Sequence, residues 1–237
     1  MQTKGHAMAL LENDAIQGTE ERVKTPVHQH VYAQLRDAIL FGHFAPGQPL
    51  TIQGLTNTIG AGMTPIREAL RRLTAEGAVQ MLSNRRMTVP VLSRIEAEEL
   101  LFLRKMLEPE LTRRAAPCVS KKDIDDLRDI DTTLNTMIQR GDVTGYLRQN
   151  YLFHSRLYAR ANAPVILATV NGLWLRFGPS LREVCGRIGT ANLPDCHAEI
   201  LDALERRETE AAAAATANDV AQGTHLYLMG RDSIDVG

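Results

Sequence analysis

The chain has 237 residues, 27 Lys+Arg against 28 Asp+Glu, and 44% apolar content, which is enough for at least one buried core and too apolar for a disordered chain. The net charge of −1 excludes a uniformly basic nucleic-acid coat, but not a basic module joined to an acidic one. The three cysteines Cys118, Cys185 and Cys196 form no CxxC pair, which argues against a disulfide framework or zinc ribbon and leads to the expectation of a reducing cytoplasm.

No stretch reaches the ~20 apolar residues of a membrane span. The apolar residues 7–11 run straight into Glu12 and Asp14, so neither a membrane partner nor a secretory leader is expected. Charge divides the chain further. Residues 1–25 show no periodicity and read as a flexible tail. Residues 26–94 carry seven basic and three acidic residues, whereas 95–237 carry 17 basic and 21 acidic. A basic head on an acidic body is the balance of a polyanion-binding module attached to something with another task.

In chain order, Val27, Val31, Leu35, Ala38 and Ile39 mark one face of a first helix, closed by the turn Phe44-Ala45-Pro46-Gly47. A second helix is expected from Ile52 to Ile59, stopped by Gly60. Thr64-Pro65 reads as the opening of a third, with Thr64 able to accept from unpaired N–H groups and Pro65 suited to the first position. It runs through Ile66, Ala69, Leu70 and Leu73 to Gly77. Ala78–Leu82 and Met87–Leu92 read as two short strands. This is the order of a winged helix-turn-helix. Arg67 and Arg71 lie four apart, opposite the apolar face. Such guanidinium groups either enter a major groove, bonding phosphate or guanine, or form a solvated face paired with Glu68 and Glu76.

The blocks Val31–Leu40, Pro46–Leu50, Thr64–Leu73 and Glu76-Gly77 resemble, in order and spacing, the GntR family of bacterial transcription regulators. The resemblance covers about 27–92. It implies a DNA-binding winged helix over 26–92, with the third helix as reader and the hairpin as wing. Thr64, Arg67, Arg71 and Arg72 are its implied DNA contacts, with Arg85 and Arg86 as supplementary contacts to phosphate or the minor groove. The chain departs from the family at Gln53, where a basic residue is usual, at Gly62-Met63, where Ser-Arg is usual, and at Arg86, where the wing tip usually has Gly.

The remainder, 95–237, reads as an all-α antiparallel bundle of about six helices. Leu100 to Ala115 and Ile124 to Ile138 repeat by three and four, Asp142 caps a helix to about Arg160, Pro164 opens one to about Val184, and Pro194 opens one to Leu204. The run Ala211–Ala215 reads as helix-prone filler before the last. Asn150 and His154 point inward from one apolar stripe, and His197 does so from another. This trio is either part of a divalent-metal site or a set of hydrogen-bonded core side chains. Trp174 and Phe177 read as packing or subunit-interface residues.

The blocks around Arg104…Glu108, Asn150…His154 and His197–Leu204 resemble the FCD ligand-binding domain of the FadR branch of the same family, over about 95–230. That domain binds small metabolites, often organic acids, and many members hold a metal with one Asp and three His. Asn150 stands at the Asp position, and His154 and His197 match two histidines. The family spacing leads to Asp219 for the third, with His225, six residues on, as the alternative. The implied ion is Zn²⁺, Ni²⁺ or Mn²⁺, with loss of the metal as the other reading. Arg104, with Arg148 as a weaker candidate, is expected to hold an effector carboxylate.

These expectations amount to a regulator, a repressor rather than an activator, acting as a homodimer on pseudopalindromic double-stranded DNA under control of a small carboxylate. The region Ser93-Arg94 is the expected joint between head and body. The competing readings are a metal-dependent helical enzyme, against which the absence of HExxH, a nucleophile–base pair or a phosphate loop argues, and a metabolite sensor that has lost DNA binding.

Overall fold

A computed structural model describes residues 26–83, 86–188 and 196–232. The tail over 1–25, the wing-tip residue Arg85 and the helix-opening Pro194 lie outside the described residues. The described chain divides into two compact units. One holds the residues up to Asp37 together with Pro49–Thr88, and the other holds Ala38–Gln48 and the residues from Val89 onward. The second therefore takes in the end of the first helix and its turn as well as the bundle.

In the first unit, helix α1 (Val27–Leu40) buries Val31 and Leu35. Helix α2 (Ile52–Ile59) starts where the Thr51 hydroxyl accepts the Gly54 N–H at 3.0 Å, and it ends at Gly60, whose φ of 73° is the left-handed conformation glycine adopts without strain. Helix α3 (Met63–Ala75) buries Ile66, Ala69, Leu70 and Leu73. Its N-cap is Gly62, not Thr64, and no side chain caps it. Thr64 sits at the second helical position and Pro65 at the third. Pro65 is tolerated there because first-turn N–H groups have no intrahelical partner.

The wing is smaller than the apolar runs suggest, and it has a strand the sequence did not announce. β1 (Pro49–Leu50), β2 (Gln80–Met81) and β3 (Met87–Thr88) form an antiparallel sheet in the order β1-β3-β2. Pro49 faces Thr88, Leu50 faces Met87 on one side, and Met81 faces Met87 on the other. Pro49 is compatible with this place because it lies on an edge strand.

The bundle consists of α4 (Arg94–Ala115), α5 (Lys121–Arg140), α6 (Val143–Tyr158), α7 (Pro164–Ile188), α8 (Cys196–Glu205) and α9 (Thr209–Asp232). Among the described residues no helix is long and apolar enough to cross a membrane. Two capping boxes start α4 and α5: Ser93 with Glu96, and Ser120 with Asp123. Ser93, at the expected joint, is thus the N-cap of α4. α4 packs against α9, where Ala212, Ala213, Ala215 and Thr216 are buried and the hydroxyls of Thr112 and Thr216 meet at 2.9 Å. The alanine run is therefore not filler. Its small side chains form the packing face against α4.

Candidate functional site

In the first unit the structure sorts the arginines of α3. Thr64, Arg67 and Arg71 are all exposed. Arg67 makes no ion pair among the described residues. Among the described residues Arg71 pairs with Glu68, at 3.1 Å, in an exposed pair of a kind that contributes little. Arg72 is engaged elsewhere: its guanidinium lies 3.7 Å over the Tyr32 ring and its Nε donates to Glu76 at 2.9 Å. The Tyr32 hydroxyl donates to the same carboxylate at 2.7 Å. Burial, reinforced by Glu76, pushes that hydroxyl up to about 12, which keeps it a donor. Arg86 is exposed at the wing. Gln53, in the family's basic position, is exposed and bonds Asn57 at 3.3 Å.

In the second unit five bundle helices bring polar side chains to one interior spot. α6 contributes His154, α8 contributes His197, and α9 contributes Asp219, and one ligand atom from each lies within 4.8 Å of the others. The two Nε2 atoms are 3.3 Å apart, and His154 Nε2 is 2.9 Å from Asp219. His197 Nδ1 lies 3.0 Å from the Asp131 carboxylate on α5. His154 Nδ1 lies 3.2 Å from the Tyr158 hydroxyl, which donates to Glu108 on α4 at 2.8 Å. With its Nδ1 against the Asp131 carboxylate, His197 turns its Nε2 lone pair toward the cluster, while His154 Nε2 faces both that atom and the Asp219 carboxylate.

Two imidazole nitrogens and a carboxylate this close need a proton or a cation among them. A donor set of two imidazole nitrogens, each ring oriented through Nδ1 by a further hydrogen-bonding group, and one carboxylate fits a divalent transition metal. Burial disfavours the charged form of Asp219, but His154, His197 and Arg104 outweigh it and hold the carboxyl at about 2. Phe153 stacks on His197 with centroids 3.9 Å apart, which fixes the ring further. His225 is exposed and outside this cluster.

A cavity of about 30 Å³ adjoins the cluster, lined by Arg104, Tyr146, Asn150, Trp174, Asp219 and Gln222 among others. Asn150 therefore borders the cavity beside the cluster. Arg104 is buried rather than at the surface. Its Nε bonds Glu108 at 2.5 Å, and its guanidinium lies 4.4 Å over the Trp174 ring. Only Nε of that guanidinium is hydrogen-bonded among the described residues. Arg148 is exposed, 4.9 Å over the Phe41 ring, and does not line the cavity. Trp174 and Phe177 are buried, so they pack inside the bundle and present no subunit interface. Trp174 also donates to Glu108 at 3.1 Å. A row of edge-on aromatic contacts runs from Phe41, directly after α1, through Tyr151 (5.8 Å) to Trp174 (5.6 Å).

Sequence reasoning missed Asp131 and the roles of Glu108 and Tyr158. The signals were present. Asp131 interrupts the apolar repeat Ile124, Leu127, Leu134, and Glu108 and Tyr158 lie four residues after Arg104 and His154.

Comparison with known proteins agrees with both units. Residues 99–222, more than half the chain, match the FCD domain, and residues 27–89 match the bacterial regulatory proteins of the gntR family. The HTH-type transcriptional regulator McbR of Escherichia coli K12 is 27% identical over 197 residues, covering 81% of this chain and 89% of that protein. The HTH-type transcriptional repressor RspR of the same organism is 26% identical over 148 residues, covering 62% and 65%. The solved structure of E. coli McbR/YncC superimposes with a TM-score of 0.81 at 25% identity, covering 87% of this chain and 99% of that one. The relatives are named as regulators of transcription, and the enzyme reading of the helical body does not hold. The chain belongs to the GntR family of bacterial regulatory proteins, in the FadR-like group that carries an FCD domain.

Proposed function

We propose that the chain is a metabolite-responsive repressor that binds a pseudopalindromic operator as a homodimer. Residues 26–92 act as the reading head and 95–237 as the sensing and dimerising body. Thr64, Arg67 and Arg71 contact the duplex, Arg67 and Arg71 supply its main basic contacts, and Arg85 and Arg86 add wing contacts. Arg72 braces α3 from behind. Supporting this are the exposure of Arg67 and the weak pairing of Arg71. The repressor sense follows the printed name of RspR.

In the body, His154, His197 and Asp219 hold one divalent cation, with Asn150 beside them. A bound cation would supply positive charge and open positions to an anionic ligand. The observation that carries the sensing role is the buried Arg104, partly unbonded on a cavity that also borders Asp219. A guanidinium with free N–H groups next to a cation selects a carboxylate. The cavity of about 30 Å³ holds only a water or two, since one water needs about 10–15 Å³. An organic acid therefore has to move its walls. Trp174 is one of them, and the row from Trp174 through Tyr151 to Phe41 carries that movement toward α1.

The test is fluorescence anisotropy on the chain's own upstream DNA. Wild type should bind with a steep salt dependence, and Arg67→Ala should lose binding while melting normally. Wild-type protein that ignores the duplex in dilute buffer while still binding carboxylates would instead indicate a sensor without an operator, the reading that Gln53 and Met63 favour.

A further inference from the structure

Arg148 lies away from the cavity, in a group of cations at the end of α1. That end has a fixed geometry. The Gly42 N–H donates to the Ile39 carbonyl at 3.0 Å and the His43 N–H to the Ala38 carbonyl at 2.9 Å, with Gly42 at φ 67°. The segment so held packs against α6 and α7. Arg148 of α6 places its guanidinium 4.9 Å over the Phe41 ring. A Cβ on Gly42 would lie 2.8 Å from Arg182 Cδ, so the stem of Arg182, from α7, runs directly along this glycine. Arg182 then reaches α6, where its Nη1 donates to Thr144 Oγ1 at 3.2 Å. Thr144 and Arg148 are four apart and share one face of α6. His43, Arg148 and Arg182 are all exposed.

No acidic side chain balances this group among the described residues. Neither guanidinium has an ion pair there, and nor does Glu183, beside Arg182 in α7. Asp142, two residues before Thr144, turns its carboxylate to the Gly145 N–H at 2.9 Å. The C-terminal carbonyls of α1 supply about half a negative charge against two full positive ones. The excess reaches His43: partial burial, then Arg148, then Arg182 hold its imidazole below the ordinary histidine value. Thr144 accepts from Arg182, so its own proton is unused among the described residues.

We propose that His43, Thr144, Arg148 and Arg182 bind the phosphate group of a small phosphorylated molecule, at a site separate from the cavity beside Arg104. The charge selects the ligand. A phosphomonoester carries about −1.5 to −2 and three acceptor oxygens, enough for two guanidinium groups and a hydroxyl at once. A carboxylate or a phosphodiester brings a single charge. The arriving anion favours protonated His43, which adds a further donor. The site does not depend on the operator reading, and its occupancy would tie the end of α1 to α6 and α7.

The experiment follows the His43 ring by NMR in the full chain, its signal assigned by its loss in His43→Gln. Inorganic phosphate and sulfate are the probes, and acetate at equal ionic strength is the control. Sulfate keeps both charges across the titration. Reading at His43 keeps anions bound near His154, His197 and Asp219 out of the signal. Both tetrahedral anions should raise the His43 pKa saturably, and acetate should not. Arg148→Met and Arg182→Met keep the stems against Phe41 and Gly42. Each should raise the His43 pKa without any anion, since a repelling charge is gone, and should weaken the anion response at least about tenfold, as loss of a hydrogen bond to a charged group does. A His43 pKa that neither anion moves, or that moves at the same concentrations in the variants as in wild type, would overturn the site. An equal response to acetate would reduce the effect to screening and overturn it too. A response to a short DNA duplex but to neither free anion would assign the cluster to the nucleic-acid backbone and overturn the small-ligand proposal.

Discussion

His154 and His197 face each other through Nε2 atoms 3.3 Å apart, while Tyr158 and Asp131 occupy their Nδ1 atoms. With the Asp219 carboxylate 2.9 Å from His154 Nε2, these atoms need a proton or a cation among them. Purified protein should carry one divalent ion per chain by elemental analysis, and chelation should lower its melting temperature, because a ligand of the folded state stabilises it. Asp219→Ala should abolish binding. Asp131→Asn, which touches no metal, should weaken it by about 10–100-fold. Full metal affinity in Asp131→Asn would contradict the orienting role.

The Arg104–Glu108 pair is buried on both sides, with Glu108 also bonded by Tyr158 and Trp174. Glu108→Ala leaves a guanidinium without its anion and should cost about 3–5 kcal/mol. Urea unfolding measures it. A loss below about 1 kcal/mol, the range of an exposed pair, would mean that the network contributes little.

Much of this was readable in the sequence, for physical reasons. Gly60 and Gly141 end helices in the left-handed conformation, and Asp142 caps one as its type and position require. The inward stripe of Asn150 and His154 is a direct consequence of helical spacing. The choice of Asp219 over His225 was open because two positions six apart face different ways, and only the packing of α9 decides which is inside. Asp131 was missed because an acid within an apolar repeat reads as surface until its partner His197, 66 residues away, is known. Thr64 fits a cap by residue type, whereas the helix starts earlier, with Gly62 as its N-cap. β1 has two residues, too few for any periodicity.

Acid stability should follow the capping boxes. The Ser93 backbone and hydroxyl hold Glu96 below its ordinary value, and Ser120 does the same for Asp123. A depressed folded value means stability that is complete above the ordinary carboxylate range, about 4, and that is lost as pH falls below it. Ser120→Ala should lower stability by about 1 kcal/mol at neutral pH and flatten the acid limb of the melting curve. An acid limb unchanged in that variant would place the acid sensitivity elsewhere.

Thiol reactivity should separate the cysteines. Cys118 is exposed, whereas Cys185 and Cys196 are buried. Burial pushes the Cys185 thiol up to about 12, leaving almost no thiolate near neutrality. One thiol per chain should react with an aromatic disulfide reagent in the native state and three in denaturant. Two or more fast native thiols would contradict the packing of α7 and α8.

Tyr151 lies between Phe41 and Trp174. Tyr151→Ala should leave the DNA affinity of the ligand-free protein within about twofold, yet reduce the shift caused by a carboxylate by about 0.5–2 kcal/mol of coupling. An unaltered shift would remove the aromatic row from the transmission.

The central claim is that occupancy of the cavity beside Arg104 and Asp219 sets how tightly α3 holds DNA. Its most direct measurement is a titration of the upstream DNA fragment by metal-loaded protein, with and without a panel of small di- and hydroxycarboxylates, for wild type and Arg104→Met. At least one carboxylate should move the wild-type midpoint by about fivefold or more, the usual scale of such coupling, and should leave the Arg104→Met midpoint where it was. A wild-type midpoint that no carboxylate moves, or one that moves equally in both proteins, would contradict the account.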